Sequence, residues 1–342
     1  MATLAQSGRV GLDGISSRSF EHPTDRAALY ALRKVPGFDL VLRKMFGLIG
    51  ERSIRYLYLA NAVRVSDLQF ARLHAVYADC LNVLNAPTRP ELFVTQTADV
   101  GAGALGVDQP FIVLSSGTLD LFDDRELRFI LGHELGHVLS GHALYKTMLA
   151  LLLRLSLAYG VFPVAGVALL GILAALREWD RKSELTADRA GLLTCQDPEA
   201  AYRVHMKLAG GGKVDQMSVV EFERQADDYD HGGDLLDGVV KLLNLLPSTH
   251  PFSVLRLRAL RQWVGSGEYA EILKGNYPRR NDRDQPGFRD HVLDSARSYR
   301  DDVKRSQDPL ARFFNNLAEA SGSVLDRTRK AMKRDDGHDG SK

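Results

Sequence analysis

The pentapeptide His133-Glu134-Leu135-Gly136-His137 constrains what this chain can fold into more than any other segment. On a helix, residues four positions apart lie on one face, so both imidazoles can reach a single metal ion. Glu134 then lies beside the ion, where its carboxylate can act on a metal-bound water instead of on the metal. The spacing therefore predicts a helix with His133 and His137 as metal ligands and Glu134 as the catalytic base.

The composition is compatible with a large globular domain around this helix. Of the 342 residues, 45% are hydrophobic and 25% are charged, which is enough apolar material for a sizeable core. The formal net charge of +1 gives no indication of nucleic-acid binding. The cysteines, Cys80 and Cys195, are too few for a disulfide framework or a cysteine-based zinc site, so other side chains must hold any metal.

The N-terminal part of the chain divides into two predicted regions. Residues 1–22 are polar and rich in glycine and serine, and we interpret them as a flexible leader without a secretory signal, which predicts a cytoplasmic location. Residues 23–85 have apolar residues at helical spacing and are predicted to be helical. Within them, Ser66 with Gln69 predicts a capping box that starts a helix over 68–84.

Two short β-prone runs follow, at 91–95 and 111–114. The glycine-rich stretch 101–106 between them suits an exposed or irregular strand. Its glycines also resemble a dinucleotide-binding loop, but the stretch leads into a strand and not into a helix. After these runs, Asp123 and Glu126 form a second capping-box pattern, which predicts the start of the metal helix.

A catalytic zinc ion usually has three protein ligands and an open position for water, and the pentapeptide supplies two. A histidine six residues after His137 is one source of a third ligand, but Ala143 stands there. If the helix continued, His142 would lie about 140° around it from His137, which predicts a structural role. The other source is a carboxylate from a later helix, predicted over 178–195.

That later helix carries the segment Glu184-Leu185-Thr186-Ala187-Asp188. The two motifs in this order resemble the signature of the M48 metallopeptidases, which include the CAAX-processing proteases and the HtpX heat-shock proteases. The resemblance implies that Glu184 is the third ligand and that Asp188 orients a ligand histidine by hydrogen bonding. The alternative is that Glu184 and Asp188 belong to a solvated helix face.

The segment Ser248-Thr249-His250-Pro251, followed by Arg256, resembles a further element of the family. It implies that His250 approaches the site as an oxyanion stabiliser or gating ligand, and that Arg256 pairs with a carboxylate near the zinc. The alternatives are a structural role for His250 at a helix start and a surface pairing for Arg256.

The resemblance covers roughly residues 85–265. It implies an α+β, mainly helical fold: a zincin-like catalytic domain over 86–265, with a small β-sheet, the metal helix and a glutamate-bearing helix. Gly101-Ala102-Gly103 stands where the family often has Asn-Ala-Phe before a substrate-binding edge strand, so side-chain contacts to substrate are removed. Beyond the domain, we predict a charged amphipathic helical extension over 266–332 and a disordered tail over 333–342.

An apolar insert separates the two metal-binding helices. Residues 155–176 are 22 residues without a charge, which is long enough for a transmembrane helix. Because both helices must meet at one ion, any membrane crossings between them must be even in number, and the insert is too short for two. We therefore predict a hydrophobic helical hairpin over 143–176, which can pack over the domain, self-associate or contact a membrane surface.

Together these patterns predict a zinc-dependent metalloendopeptidase with one Zn²⁺ per chain and a peptide or protein substrate. Two alternatives remain open from the sequence. One is a non-catalytic or chaperone-like module with the same fold, and the other is a hydrolase of a specialised non-protein amide.

Overall fold

The computed structural model describes residues 8–35, 37–42, 51–159, 166–231 and 252–282. Three predictions lie outside these residues: His250, residues 160–165 in the middle of the predicted hairpin, and everything predicted beyond residue 282.

The described residues form a mainly helical α+β fold, which confirms the predicted fold class. The helices run in the following order: α1 Pro23–Arg33, α2 Glu51–Asn61, α3 Ala71–Val83, α4 Ser116–Leu121, α5 Asp124–Leu139, α6 Ala143–Tyr159, α7 Gly166–Cys195, α8 Pro198–Gly210, α9 Val219–His231, α10 Ser253–Gly265 and α11 Glu268–Leu273. The strands are β1 Val63–Arg64, β2 Leu92–Thr95, β3 Ala102–Leu105 and β4 Phe111–Ser115.

The strands form one small sheet in the order β1-β2-β4-β3. β2 and β4 are parallel, whereas β1 and β3 pair antiparallel with β2 and β4. Phe111, Ile112 and Leu114 of β4 are buried, because this strand has a neighbour on each side and helices against it. The glycine-rich stretch supplies β3, which forms an edge of the sheet and contacts α5 and α6.

Helices α5 and α7 lie unusually close together because small residues face each other where they pack. A Cβ atom added at Gly132 would lie 2.3 Å from Oγ1 of Thr194, and one at Gly136 would lie 2.6 Å from Cβ of Ala190. Atoms that are not bonded cannot approach so closely, so these positions exclude any larger side chain. The close packing brings the pentapeptide on α5 next to Glu184 on α7.

The flexible leader predicted for residues 1–22 is wrong for residues 8–22. Leu12, Ile15 and Phe20 are at most 1% exposed and belong to the main hydrophobic core. The backbone amide of Leu12 donates to the carbonyl of Val83 over 2.8 Å. Apart from a short 3₁₀ turn over Ser17–Ser19, the segment has no regular structure. Its buried residues therefore lack the periodicity by which buried segments are recognised in a sequence.

The purely helical region predicted over 23–85 is also wrong in part, because β1 lies within it and pairs with β2. The helix predicted from residue 68 begins instead at Ala71. The hydroxyl of Ser66 does accept hydrogen bonds from the amides of Leu68 and Gln69, but these bonds close a turn before the helix. A serine that bonds to nearby amides suits a turn as well as a helix cap.

The described parts of the predicted hairpin, α6 and the start of α7, pack against each other and against the N-terminal helix. Their buried side chains form a second apolar cluster with Ala28 and Leu32 of α1, and Trp179 is fully buried there. In the part of the chain that the structure describes, no helix has both the length and the apolar character needed to cross a membrane.

Candidate metal centre

The metal helix α5 begins where the sequence predicts. The side chain of Asp123 accepts hydrogen bonds from the amides of Arg125 and Glu126, and Glu126 accepts one from the amide of Asp123, which completes a capping box. Leu131 and Leu135 on the same helix are fully buried and anchor it to the core. The helix is thus held from its first turn, which orients the pentapeptide in its third and fourth turns.

His133, His137 and Glu184 converge at the contact between α5 and α7. The two Nε2 atoms are 3.2 Å apart, Nε2 of His137 lies 3.2 Å from Oε1 of Glu184, and Nε2 of His133 lies 3.4 Å from Oε2. All three residues are buried. Two imidazole nitrogens and a carboxylate oxygen form a donor set typical of catalytic zinc sites, so these residues fit a zinc ion.

Glu134 lies beside this cluster and is fully buried. Neither of its carboxylate oxygens has a hydrogen-bond partner among the described residues. A buried carboxylate without partners is destabilising, so Glu134 is a candidate for binding a group that is not part of the chain. A water molecule at the metal would supply the missing donor.

Asp188 on α7 and Arg256 on α10 lie next to the candidate metal-binding group. Oδ1 of Asp188 lies 2.9 Å from Nδ1 of His133. Arg256 donates from Nε to Oδ2 of Asp188 over 2.7 Å and from Nη2 to Oδ1 over 2.5 Å. Its Nη1 lies 2.9 Å from Oε2 of Glu184, so one guanidinium contacts both carboxylates.

The charges around the cluster keep its carboxylates ionised. Burial alone would raise the pKa of Glu184, but the charges of Lys146 and Arg256 hold it well below its usual value. Burial would likewise raise the pKa of Asp188, but the charge of Arg256 and the hydrogen bonds from Arg256 and His133 are among the effects that together lower it. Burial would lower the pKa of His133, whereas Glu184 and Asp188 raise it to about 9. Glu184 and Asp188 are therefore held in the ionised form, which is the form of a carboxylate that binds a metal ion.

His142 takes a different position from the one that helical continuation predicts. Helix α5 ends at Leu139, and Gly141 adopts a φ of 71°, a conformation that glycine tolerates without strain. The chain therefore turns, and Nδ1 of His142 lies 3.1 Å from Nδ1 of His137, on the side away from Glu184. His142 is a neighbour of a candidate ligand and does not belong to the metal-binding group itself.

Sequence reasoning missed other residues of the centre. Nζ of Lys146 on α6 donates to Glu184 over 2.7 Å and to Asp180 over 2.9 Å. The buried ring of His205 lies 3.7 Å from Asp188, and burial lowers the pKa of His205 to about 3. Asp25 on α1 contacts His142. For Lys146 the sequence offers one signal, a lone charge in an apolar run. We find no sequence signal for Asp25 or His205.

A small apolar pocket opens beside Glu134. It lies between the start of edge strand β3 and helices α5 and α8, and its walls include these residues: Gly101, Ala102, Phe129, Ile130, Val204 and Leu208. His133, Glu134 and Arg256 also line it. The metal-binding group, an unsatisfied carboxylate, an edge strand and an apolar pocket thus meet at one place.

Comparison with known proteins gives a consistent result. A family model described as Peptidase family M48 matches residues 67–264. The plastoglobule-localized metallopeptidase 48, chloroplastic, of Arabidopsis thaliana is 34% identical over 266 residues, which are 76% of this chain and 76% of that protein. A protease HtpX homolog of Ralstonia pickettii (strain 12J) is 25% identical over 240 residues, covering 62% of this chain and 81% of the relative.

The metalloprotease YcaL of Escherichia coli (strain K12) is 35% identical over 86 residues, which are 25% of this chain and 32% of that protein. No solved structure gives a significant match. The Arabidopsis relative is named as plastoglobule-localized. That name does not support the cytoplasmic location predicted from the sequence.

Proposed function

Because the chain belongs to peptidase family M48, as the sequence motifs predict, we propose that it is a zinc-dependent metalloendopeptidase that uses Glu134 as its general base. The family makes it a metallopeptidase with peptide or protein substrates. The choice of zinc, the endopeptidase specificity and the roles of individual residues are the proposal. The observation that carries it is the buried convergence of His133, His137 and Glu184 beside the unsatisfied carboxylate of Glu134.

In this proposal His133, His137 and Glu184 hold one zinc ion. When bound, zinc polarises the scissile carbonyl and lowers the pKa of the attacking water to about 7. The Nδ1 atoms of both histidines are engaged by neighbours, Asp188 and His142, so each ring is oriented with Nε2 toward the common point. Such outer contacts hold ligand rings in place and commonly tune metal affinity.

Glu134 accepts a proton from the attacking water and later delivers it to the leaving amine. This role is supported by the free carboxylate, because neither oxygen accepts a hydrogen bond from a residue that the structure describes. Arg256 acts as a positioning residue through its contacts with Asp188 and Glu184. His250 stays in the proposal as an oxyanion stabiliser or gating ligand.

Edge strand β3 is the proposed binding surface for the substrate backbone. A strand at the edge of a sheet has unpaired amide and carbonyl groups, to which an extended peptide can add. β3 pairs with β4 on one side and contacts the metal helix. The adjacent apolar pocket can accept a hydrophobic side chain, whereas the glycines of β3 offer no side-chain contacts to the substrate.

The test is the variant Glu134→Gln, which keeps the size of the side chain but removes the base. We expect it to bind one zinc per chain, as measured by atomic emission, and to lose casein cleavage by several orders of magnitude. Cleavage at the wild-type rate would contradict the role of Glu134. A wild-type protein that binds zinc but cleaves neither casein nor a peptide library would favour the non-catalytic alternative.

Contact of the insert 143–176 with a membrane surface, its self-association and the cytoplasmic location are further proposals, supported by sequence composition alone. Sedimentation with liposomes, analytical ultracentrifugation and cell fractionation test them separately. Sedimentation of the protein as a monomer with no liposome binding would remove the first two.

A further inference from the structure

We propose that Asp25 and His142 form a positioning pair that sets the tautomer of His137, so that the N-terminal helix α1 is part of the metal centre. This inference rests on the proposed zinc site. It goes beyond that site because Asp25 lies outside the matched family region, which begins at residue 67.

The imidazole of His142 lies between Asp25 and His137. Its Nε2 is 3.1 Å from Oδ2 of Asp25, and its Nδ1 is 3.1 Å from Nδ1 of His137. All three side chains are at most 2% exposed. The ring therefore connects a carboxylate on α1 with a candidate ligand on α5 through two hydrogen-bond distances, without access to bulk water.

Two further donors hold the carboxylate of Asp25 in place. The hydroxyl of Thr186 donates to Oδ2 over 2.6 Å, and the indole Nε1 of Trp179 donates to Oδ1 over 3.1 Å. Both residues lie on α7, and Thr186 is two positions after Glu184. The backbone amide of His22, just before α1, donates in turn to the Thr186 hydroxyl over 2.9 Å. Asp25 is thus attached to the same helix that carries the third ligand.

The arrangement determines which nitrogen carries each proton. An ionised carboxylate only accepts hydrogen bonds, and a neutral imidazole has one donor and one acceptor nitrogen. Asp25 therefore accepts from Nε2–H of His142, whose Nδ1 must then accept from Nδ1–H of His137. This leaves Nε2 of His137 unprotonated, with its lone pair toward His133 and Glu184. The opposite order would place a proton on the nitrogen that must bind the metal.

The variant Asp25→Asn tests this order, because an amide can donate to His142 and reverse the chain of hydrogen bonds. We expect its zinc affinity, measured by competition with a chromophoric chelator, to fall about ten- to a hundredfold. Glu178→Gln is the matched control: this buried acid also lies on α7, and both of its carboxylate oxygens accept hydrogen bonds from Arg181. Its zinc affinity should equal that of the wild type.

A second measurement does not depend on any variant at Asp25. In zinc-loaded protein labelled with ¹⁵N-histidine, we expect NMR shifts of the Nε2–H tautomer for His142 and the Nδ1–H tautomer for His137, with His142→Gln to assign the signals. An Nδ1–H tautomer at His142, or unchanged zinc affinity in Asp25→Asn, would overturn the inference. A wild-type protein that does not bind zinc would instead overturn the proposed function.

Discussion

At the scale of single residues, Arg256 connects the parts of the candidate centre most directly. Its guanidinium contacts Asp188 through two hydrogen bonds and Glu184 through an ion pair, and all three side chains are buried. A planar fork of this kind cannot be replaced by the single ammonium of lysine. Arg256 therefore contributes to the electrostatic state of both carboxylates, and Lys146 shares this role at Glu184.

We expect Arg256→Leu to lower the free energy of unfolding by about 3–5 kcal/mol, because it removes the guanidinium that pairs with Asp188 and one of the two cations that contact Glu184. Arg256→Lys keeps the charge but loses the bidentate geometry, so it should fall between the wild type and the leucine variant. Urea denaturation of zinc-free protein measures the effect. Equal stability of all three proteins would show that other cations, such as Lys146, already compensate the carboxylates.

The sequence predicts some residues of the candidate centre and not others. The pentapeptide, the Asp123 cap and the Glu184 segment are local patterns, each readable within a few residues. Asp25 is different, because its hydroxyl donor Thr186 is 161 positions away in the chain. The predicted position of His142 is wrong because it extends the helix past Leu139. The helix ends there, and the chain turns at Gly141. A single sequence does not encode such distant contacts in any pattern of spacing.

At the scale of elements, the packing of α5 on α7 sets the distance between the histidines and Glu184. The contact depends on glycine at Gly132 and Gly136 and on small residues opposite them. The element types were predictable because helix periodicity and caps are local. The close approach of the two helices was not predictable, because a glycine inside a helix can have several causes. Only the structure shows that Thr194 and Ala190 lie opposite these glycines.

The variant Gly136→Ala should be destabilising even though alanine favours a helix. The added methyl group would lie 2.6 Å from Ala190, and such overpacking typically costs about 1–3 kcal/mol. Gly265→Ala is the control, because this helical glycine has open space around its added Cβ. We expect thermal denaturation to show a lower melting temperature for the first variant and no loss for the second. A stable Gly136→Ala protein with normal zinc affinity would contradict the tight contact.

Edge strand β3 allows a test that leaves the fold intact. A Cβ at Gly103 would meet nothing within 4 Å, so Gly103→Val should change stability by less than about 0.5 kcal/mol. If substrate adds to this edge, the new side chain should alter KM and the cleavage pattern in a peptide library. An unchanged pattern would argue against substrate binding along β3.

At the scale of the whole molecule, the N-terminal segment and the metal centre belong to one body. Leu12, Ile15 and Phe20 fill the main core, and Asp25 reaches the ligand histidine through His142. Irregular segments of this kind have no apolar periodicity, which is why the sequence suggested a flexible leader.

Leu12→Ala should lower the free energy of unfolding by about 2–5 kcal/mol, the usual cost of a large-to-small change in a core. Val10→Ala, two residues away and 46% exposed in the wild type, should change it by less than about 0.5 kcal/mol. Chemical denaturation compares the two. Equal, near-zero effects would be the result expected of a flexible leader.

Removal of zinc should also act on the whole molecule, because its ligands come from two helices. Zinc at a hundred times its dissociation constant would stabilise the protein by about 2.7 kcal/mol. The melting temperature should therefore fall on chelation in the wild type and in Glu134→Gln, but not in His137→Ala. A chelator-sensitive His137→Ala protein would place the metal elsewhere.

The long separation between α1 and its partners on α7 has a consequence for biosynthesis. Chains emerge from the ribosome with the N-terminus first. Asp25 is therefore synthesised well before Trp179 and Thr186, the residues that donate hydrogen bonds to its carboxylate. Until α7 has been synthesised, the hydrogen bonds between Asp25 and this helix cannot form. Because the candidate ligand Glu184 lies on the same helix, the candidate metal centre can be completed only late in translation.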